Sequence, residues 1–196
     1  MGIEYELKFS ADAAILSAIA DEYGKYPTQH FQMATTYYDT PSGALSALHY
    51  TLRQRMENNV SVCTLKTPAS TYGRKELEVN CDTIQAAIPL LCQMGAPEAF
   101  ADRVQEGILP VCSAKFHRIA ITLVMEDCVL ELALDTGTLS GGSKTIPLCE
   151  VEVELKSGDT STADQFAAML MNQYGLVQES RSKFRRALAL YKGECL

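Results

Sequence analysis

The stretch Ile3-Glu4-Tyr5-Glu6-Leu7-Lys8-Phe9 decides the fold, because charged residues alternate strictly with large apolar ones. Successive side chains of a β-strand point to opposite faces, so the stretch predicts a strand with one charged face and one apolar face. Glu4, Glu6 and Lys8 share the charged face. In most antiparallel sheets such a face is the solvent-exposed side.

The same alternation recurs in six later stretches of the chain, and short turns such as Asn58-Asn59 connect several of them. Strands in mostly hairpin connections predict an antiparallel sheet that closes on itself. The charged residues that share a face within these stretches are Arg53, Arg55, Lys66, Arg74, Glu76, Glu78, Arg118, Glu131, Asp135, Glu150, Glu152, Glu154 and Lys156.

Apolar helical segments are predicted between and after the strands. They cover residues 10–23, 83–94, 97–106, 160–174 and a last segment after Lys183. The predicted N-cap residues are Ser10, Asp82 and either Thr160 or Ser161, with Pro97 as the first residue of its helix. No Gly/Ser/Pro-rich linker flanks the αα segment at about 82–106, so we predict an insertion within a single domain over residues 1–196.

The apolar helices need an apolar sheet face to pack against, so the charged faces are expected to point away from them. A solvent-exposed charged face is the ordinary alternative. Two patterns argue against a solvent-exposed face: acidic residues that occur in pairs and triplets, and the arginine pair Arg53 and Arg55. Like charges on one face repel, so an exposed face gives no reason for them. These groups of like charge are expected if the charged face lines the interior of a barrel that binds a metal and a polyanion, because carboxylates bind cations and basic side chains bind phosphates.

Composition excludes several classes of protein. With 196 residues, 47% of them hydrophobic and 21% charged, the chain is typical of a folded domain. Its formal net charge of -7 argues against a nucleic-acid-binding surface. Seven cysteines without a C-x-x-C pair, and no signal peptide or apolar span, predict reduced thiols in the cytoplasm and no membrane contact.

Histidine and cysteine chemistry is not expected. His30, His49 and His117 show no spacing typical of a site and are interpreted as structural. No cysteine has an evident base partner, which disfavours a thiol nucleophile.

In order along the chain, these residues resemble the CYTH domain, or triphosphate tunnel metalloenzyme, family. The matching motifs are Glu4-x-Glu6-x-Lys8, Tyr38-Asp39-Thr40, Leu52-Arg53-x-Arg55, Thr64-Leu65-Lys66, Arg74-x-Glu76-x-Glu78, Phe116-x-Arg118, Glu131-x-Ala133-x-Asp135-x-Gly137, Glu150-x-Glu152-x-Glu154-x-Lys156 and Ser182-Lys183. The resemblance implies an α+β fold: a closed eight-stranded antiparallel β-barrel with a charged lumen and helices packed on the outside. Some members carry a CHAD domain after this part, which is not expected here because the chain ends at Leu196.

The resemblance is greatest to bacterial inorganic triphosphatases, which implies metal-dependent hydrolysis of tripolyphosphate to pyrophosphate and phosphate. It implies a small-molecule triphosphate partner and a monomer or homodimer. A class IV adenylyl cyclase, or a thiamine or nucleoside triphosphatase, on the same scaffold is the first alternative. A non-catalytic polyphosphate-binding module is the second.

The resemblance also implies roles for individual residues. Mg²⁺ or Mn²⁺ would be bound by Glu4 and Glu6 together with Glu152 or Glu154, and the same four with Lys8 form the catalytic set. The phosphate-binding residues would be Lys8, Arg53, Arg55, Lys66, Arg74, Arg118 and Lys183. The residues that orient these basic groups, or bind a second metal, would be Glu76, Glu78, Glu131, Asp135 and Glu150. For Glu150, simple charge balance with a nearby arginine is an equal alternative.

Overall fold

A nine-stranded antiparallel sheet is the framework of this computed structural model, which describes residues 5–68 and 74–195. The strands are β1 (Tyr5–Ser10), β2 (Thr28–Asp39), β3 (Thr51–Glu57), β4 (Val60–Pro68), β5 (Arg74–Asn80), β6 (Leu109–Val124), β7 (Cys128–Gly141), β8 (Lys144–Gly158) and β9 (Val177–Gln178). The helices are α1 (Ala13–Tyr23), α2 (Ala44–Ala47), α3 (Ile84–Gln93), α4 (Glu98–Arg103), α5 (Thr160–Tyr174) and α6 (Lys183–Lys192). Among the described residues, none of these helices has the length and apolar character needed to cross a membrane.

The strand order is β5-β4-β3-β2-β6-β7-β8-β1-β9, and every neighbouring pair is antiparallel. The antiparallel sheet is therefore confirmed, but the predicted eight strands and full closure are wrong. The free side of β1 pairs with the two-residue strand β9, through Phe9 with Gln178 and Ser10 with Val177. In the described part of the chain β5 and β9 do not pair, so the sheet stays open.

The apolar strand faces pack against five of the six helices, as predicted. Helices α1 and α5 cover β1, β7 and β8, with Ile19 and Leu170 fully buried against Val151 and Val153. Helices α2, α3 and α4 form a second core with β3, β4 and β5, in which Phe100 is fully buried. These helices leave the opposite, charged face of the sheet uncovered.

Helix α6 packs on the other side of the sheet. Phe184, Ala187 and Leu190 form a third core with Phe116 and Leu139, on the face of β6 and β7 that carries the charged residues. Helices were predicted only on the outside, and this is wrong for α6.

A glycine allows α6 to lie this close to β7. A Cβ atom at Gly141 would lie 2.2 Å from the Ala187 carbonyl oxygen and 2.5 Å from the Tyr191 amide nitrogen. Both neighbours are backbone atoms of α6, so any larger residue would have to push the helix away from the strand.

Helix starts differ from the predictions by one or two residues. The observed N-cap residues are Asp12, Thr83, Pro97 and Asp159. Ser10 is unsuitable as a cap because it still belongs to β1, where it pairs with Glu150. Asp12 instead accepts a hydrogen bond from the Ile15 amide, 2.8 Å away.

Candidate functional site

A cavity of about 460 Å³ lies on the charged face of the sheet, and strands β1 to β8 and α6 all contribute to its lining. Glu6 near one end of the strand order and Glu76 at the other line the same cavity, so the open sheet curves around it. Thirteen of the predicted site residues line it: Glu6, Lys8, Arg53, Arg55, Lys66, Arg74, Glu76, Glu78, Arg118, Glu131, Glu152, Glu154 and Lys183. The charged face is therefore the wall of a cavity rather than an ordinary outer surface.

Three predicted site residues do not appear in this lining. Glu4 lies outside the described residues. Asp135 and Glu150 are fully buried beneath the cavity wall, where they contact basic side chains.

Lys183, at the start of α6, binds three carboxylates in the wall of the cavity. Its Nζ lies 2.8 Å from Asp135 Oδ2, 2.5 Å from Glu150 Oε1 and 2.6 Å from Glu152 Oε1. Ser182 caps α6 by accepting a hydrogen bond from the Arg185 amide, which sets the position of Lys183 in the first turn. One lysine thus joins α6 to strands β7 and β8.

Two arginines complete this network. Arg118 forms a bidentate pair with Asp135, with Nε and an Nη both 2.7 Å from the carboxylate oxygens, and also contacts Glu152. Arg186 contacts Glu150. Three carboxylates thus face three cations, and every member is mostly or wholly buried.

The network shifts the titration of its members. Burial alone would raise the pKa of the Glu152 carboxyl, but Lys183 and Arg118 outweigh it and hold that pKa well below its usual value. Burial would lower the pKa of Lys183, yet the carboxylates, Glu152 foremost, raise it well above the usual value. Burial raises the pKa of Glu150 to about 7, opposed by Lys183 and Arg186.

Oxygens of Asp135, Glu150 and Glu152 lie within 4.8 Å of one another, close enough to hold a metal ion. The three cations already balance their charge, however, and a divalent ion would have to displace Lys183 or Arg118. The donor set therefore fits the task of positioning these two basic groups better than that of binding a metal.

A second row of carboxylates faces the cavity. Glu6 of β1 pairs in register with Glu154 of β8, which pairs on its other side with Glu131 of β7. Lys8 Nζ lies 2.9 Å from Glu6, and Lys156 Nζ lies 3.0 Å from Glu154 and 3.8 Å from Glu131. Like charges directly across strands destabilise a sheet, so the row favours a cation and offers the hard oxygen donors that Mg²⁺ and Mn²⁺ prefer.

The opposite wall of the cavity is basic, and Arg53 has the fewest partners there. Its Nε is buried without a hydrogen bond, and within residues 5–68 and 74–195 no carboxylate pairs with its guanidinium. Arg55 pairs with Glu57, and burial together with the neighbouring Arg53 lowers the pKa of Arg55. A half-buried arginine without an acidic partner is suited to bind an anionic ligand.

Other basic residues of this wall are held in place by polar partners. Lys66 forms an ion pair with Glu76 on the adjacent strand. Arg74 donates to the His49 carbonyl at 2.5 Å and to Thr51 Oγ1 at 3.2 Å. These contacts fix their charged groups at the cavity surface.

Sequence reasoning missed several residues of the site. Arg186 follows Lys183 by three positions, a spacing that places both on one helix face, but its partner Glu150 is distant in sequence. Glu57 continues the alternation of Arg53 and Arg55 at the last position of β3, but it was not among the predicted site residues. The apolar residues of the lining were not predicted either, because the prediction rested on charged residues alone. They are Phe31, Met33, Tyr37, Phe116 and Phe184.

The chain is similar to known proteins both in sequence and in fold. The inorganic triphosphatase of Haemophilus influenzae is 27% identical over 192 residues, covering 95% of this chain and 54% of that protein, so the chain spans about half of its relative. A Hippeastrum protein described as a candidate adenylyl cyclase with a dominant triphosphatase activity has a similar fold, with a TM-score of 0.69, 16% identity and coverage of 99% and 98% of the two chains.

A candidate adenylate cyclase from Bacillus halodurans also has a similar fold, with a TM-score of 0.60, 15% identity and coverage of 94% and 96%. The model of the CYTH domain family matches residues 2–188. By this match over almost its whole length, the chain belongs to the CYTH domain family.

Proposed function

We propose that this chain is a metal-dependent triphosphatase that hydrolyses inorganic tripolyphosphate to pyrophosphate and phosphate inside the cavity. The observation that carries the proposal is the lining itself. Among the described residues, eight basic side chains and seven carboxylates converge on one cavity of about 460 Å³. The likeness to a Haemophilus influenzae protein named inorganic triphosphatase supports the same activity.

The positive and negative charges of the cavity lining nearly cancel, which supports a requirement for metal ions in substrate binding. Eight cations less seven carboxylates leave a surplus of one positive charge, which is too small to neutralise a bound triphosphate. Divalent cations that enter with the substrate would supply the missing charge.

The proposed phosphate-binding residues are those of the basic wall and the first turn of α6. Arg53 and Arg55 bind phosphate oxygens in bidentate geometry, and Lys183 and Arg118 are presented to the cavity by the carboxylates beneath them. The same function is proposed for Lys8, Lys66 and Arg74. Holding the chain of phosphates from several sides keeps the terminal phosphorus in place for in-line attack.

Glu6, Glu131 and Glu154 are the proposed cation ligands within the described residues, and Glu4 remains a predicted fourth. The chemistry supplied by Mg²⁺ or Mn²⁺ there is neutralisation of phosphate charge. Glu152 also remains a predicted ligand, on the condition that Lys183 or Arg118 turns from it to the substrate.

In the hydrolytic step, water forms a bond to the terminal phosphorus while the bond to the bridging oxygen breaks. Glu6 or Glu154 accepts the proton of the water, and pyrophosphate leaves with the bridging oxygen. Lys8, 2.9 Å from Glu6, is placed to stabilise the charge that develops on the transferred group.

We extend the proposal to organisation and location. Residues 1–196 form a single CYTH-type domain with an αα insertion at about 82–106, in which α3 packs on β4 and β5. All seven cysteines are free thiols, which supports a reducing, cytoplasmic location.

Adenylyl cyclase activity is the second candidate, because part of the cavity is apolar. Phe31, Met33 and Phe116 lie beside Arg118 on strands β2 and β6, where they could contact a base. A cyclase would release pyrophosphate and cyclic AMP from ATP and leave tripolyphosphate intact.

A substrate panel separates these functions. Tripolyphosphate, ATP, thiamine triphosphate and pyrophosphate are each incubated with Mg²⁺, with Mn²⁺ or with EDTA, and the products are resolved by ion-exchange chromatography. We expect equimolar phosphate and pyrophosphate from tripolyphosphate, in the presence of metal only. Cyclic AMP from ATP would favour the cyclase, and tight tripolyphosphate binding without turnover would show a binding module instead.

A further inference from the structure

Two of the three histidines meet on the outer face of the sheet, although 87 residues separate them in sequence. His30 Nδ1 of β2 lies 3.3 Å from His117 Nε2 of β6, and the ring planes are inclined by only 21°. The sequence showed no such pair, because it depends on the register in which Gln32 lies opposite His117.

The pair lies outside the cavity. His117 stands between Phe116 and Arg118, and His30 precedes Phe31; these three neighbours line the cavity, so the imidazoles point to the opposite side. This part of the outer face is open, since His30 is exposed and His117 is half-buried. The imidazoles are therefore accessible to a small solute.

The distance between the two nitrogens suits a metal of the zinc class. Zinc–nitrogen bonds of about 2.0–2.1 Å at a tetrahedral angle place two ligand nitrogens about 3.3–3.4 Å apart. At this distance one of the two nitrogens donates a hydrogen bond to the other, and the tautomers decide which is the donor. A shift of the donor ring's proton to its other nitrogen leaves both facing nitrogens with a free lone pair, without net proton release.

We propose that His30 and His117 form a binding site for a borderline divalent cation, Zn²⁺ foremost, that is independent of the carboxylates in the cavity. Two imidazoles disfavour Mg²⁺, which takes oxygen ligands, and suit Zn²⁺. Water completes the coordination, because no carboxylate or thiol belongs to a three-residue cluster with these histidines in the described part of the chain. The bound ion links β2 to β6 directly behind Phe31 and Arg118.

Calorimetric titration with Zn²⁺ tests the site in untagged protein, with Mg²⁺ in excess to occupy the cavity carboxylates. We expect His30→Gln and His117→Gln each to lose one Zn²⁺ equivalent or to weaken its binding at least tenfold. His49→Asn is the matched control: it removes the remaining histidine and keeps a residue that tolerates the positive φ of 58° there. Binding to this variant should equal that to the wild type.

Thermal unfolding and nuclear magnetic resonance keep the test decisive if a variant folds poorly. In the wild-type protein, paramagnetic Co²⁺ should broaden the imidazole signals of His30 and His117 before those of His49, and Zn²⁺ should raise the melting temperature. Equal Zn²⁺ binding by all three variants, or Co²⁺ broadening that does not distinguish the histidines, would overturn the proposal.

Discussion

At the scale of single residues, the basic side chains of the cavity differ in how many carboxylates each one contacts. Lys183 contacts three carboxylates and Arg118 contacts two at close range, whereas Arg53 has none in the part of the chain that the structure describes. The alternation of the strands predicted which residues share a face. It could not predict these partners, because each pair depends on strand register or on where α6 packs.

Glu152 should make folding stability depend on pH. Its pKa in the folded protein is well below the ordinary value of 4.5, so its stabilising effect is complete above about pH 4.5 and is lost as the pH falls towards the folded pKa. In Glu152→Gln, the free energy of unfolding in urea should decline less between neutral pH and pH 3–4, roughly the range in which unfolded glutamates become protonated.

The exposed residue Glu126, in the turn between β6 and β7, provides the control. Glu126→Gln should retain the decline of the wild-type protein. If Glu152→Gln and the wild type show parallel stability curves across this range, the ion pairs of Glu152 do not stabilise the fold as described.

Among the elements, α6 does most to shape the cavity. It packs against the same face of β6 and β7 that carries Arg118 and Asp135, and it brings Lys183 to the cavity wall. The sequence predicted a helix after Lys183, and α6 begins at Lys183 itself, with Ser182 as its N-cap. It could not indicate the side of the sheet, because apolar residues such as Phe116 and Leu139 occur on the charged face too.

Gly141→Ala should weaken the contact between α6 and β7. The new methyl group would clash with the backbone of α6 at Ala187, so we expect a loss of about 1–3 kcal/mol in the free energy of unfolding. Tripolyphosphatase activity should fall with it, because Lys183 moves with the helix. Urea unfolding and initial rates of phosphate release measure the two effects.

Ser140→Ala changes the preceding residue of β7, which is hydrogen-bonded to Thr145 rather than packed on α6. It should have little effect on stability or on rate. A Gly141→Ala variant as stable and as active as the wild type would show that α6 does not depend on this close approach.

In the whole molecule, an open sheet of nine strands encloses the charged face by curving, without a closed ring of hydrogen bonds. The period-two pattern predicted an antiparallel sheet with a charged interior. The eight strands that the family resemblance implied are one too few, because Val177–Gln178 also pairs with β1; this strand is too short to give a periodic signal. The meeting of His30 with His117 was likewise hidden, since it follows from the pairing of β2 with β6.

The rate of phosphate release from tripolyphosphate by Arg53→Met tests the central claim most directly, because Arg53 lines the cavity and has no carboxylate partner among residues 5–68 and 74–195. Loss of a charge-assisted contact worth about 1.5–3 kcal/mol should lower kcat/KM roughly tenfold or more. Lys115→Met, which removes an exposed cation from the outer face of β6, should keep the wild-type rate. Full activity in Arg53→Met, or an equal loss in Lys115→Met, would contradict binding of the triphosphate in this cavity.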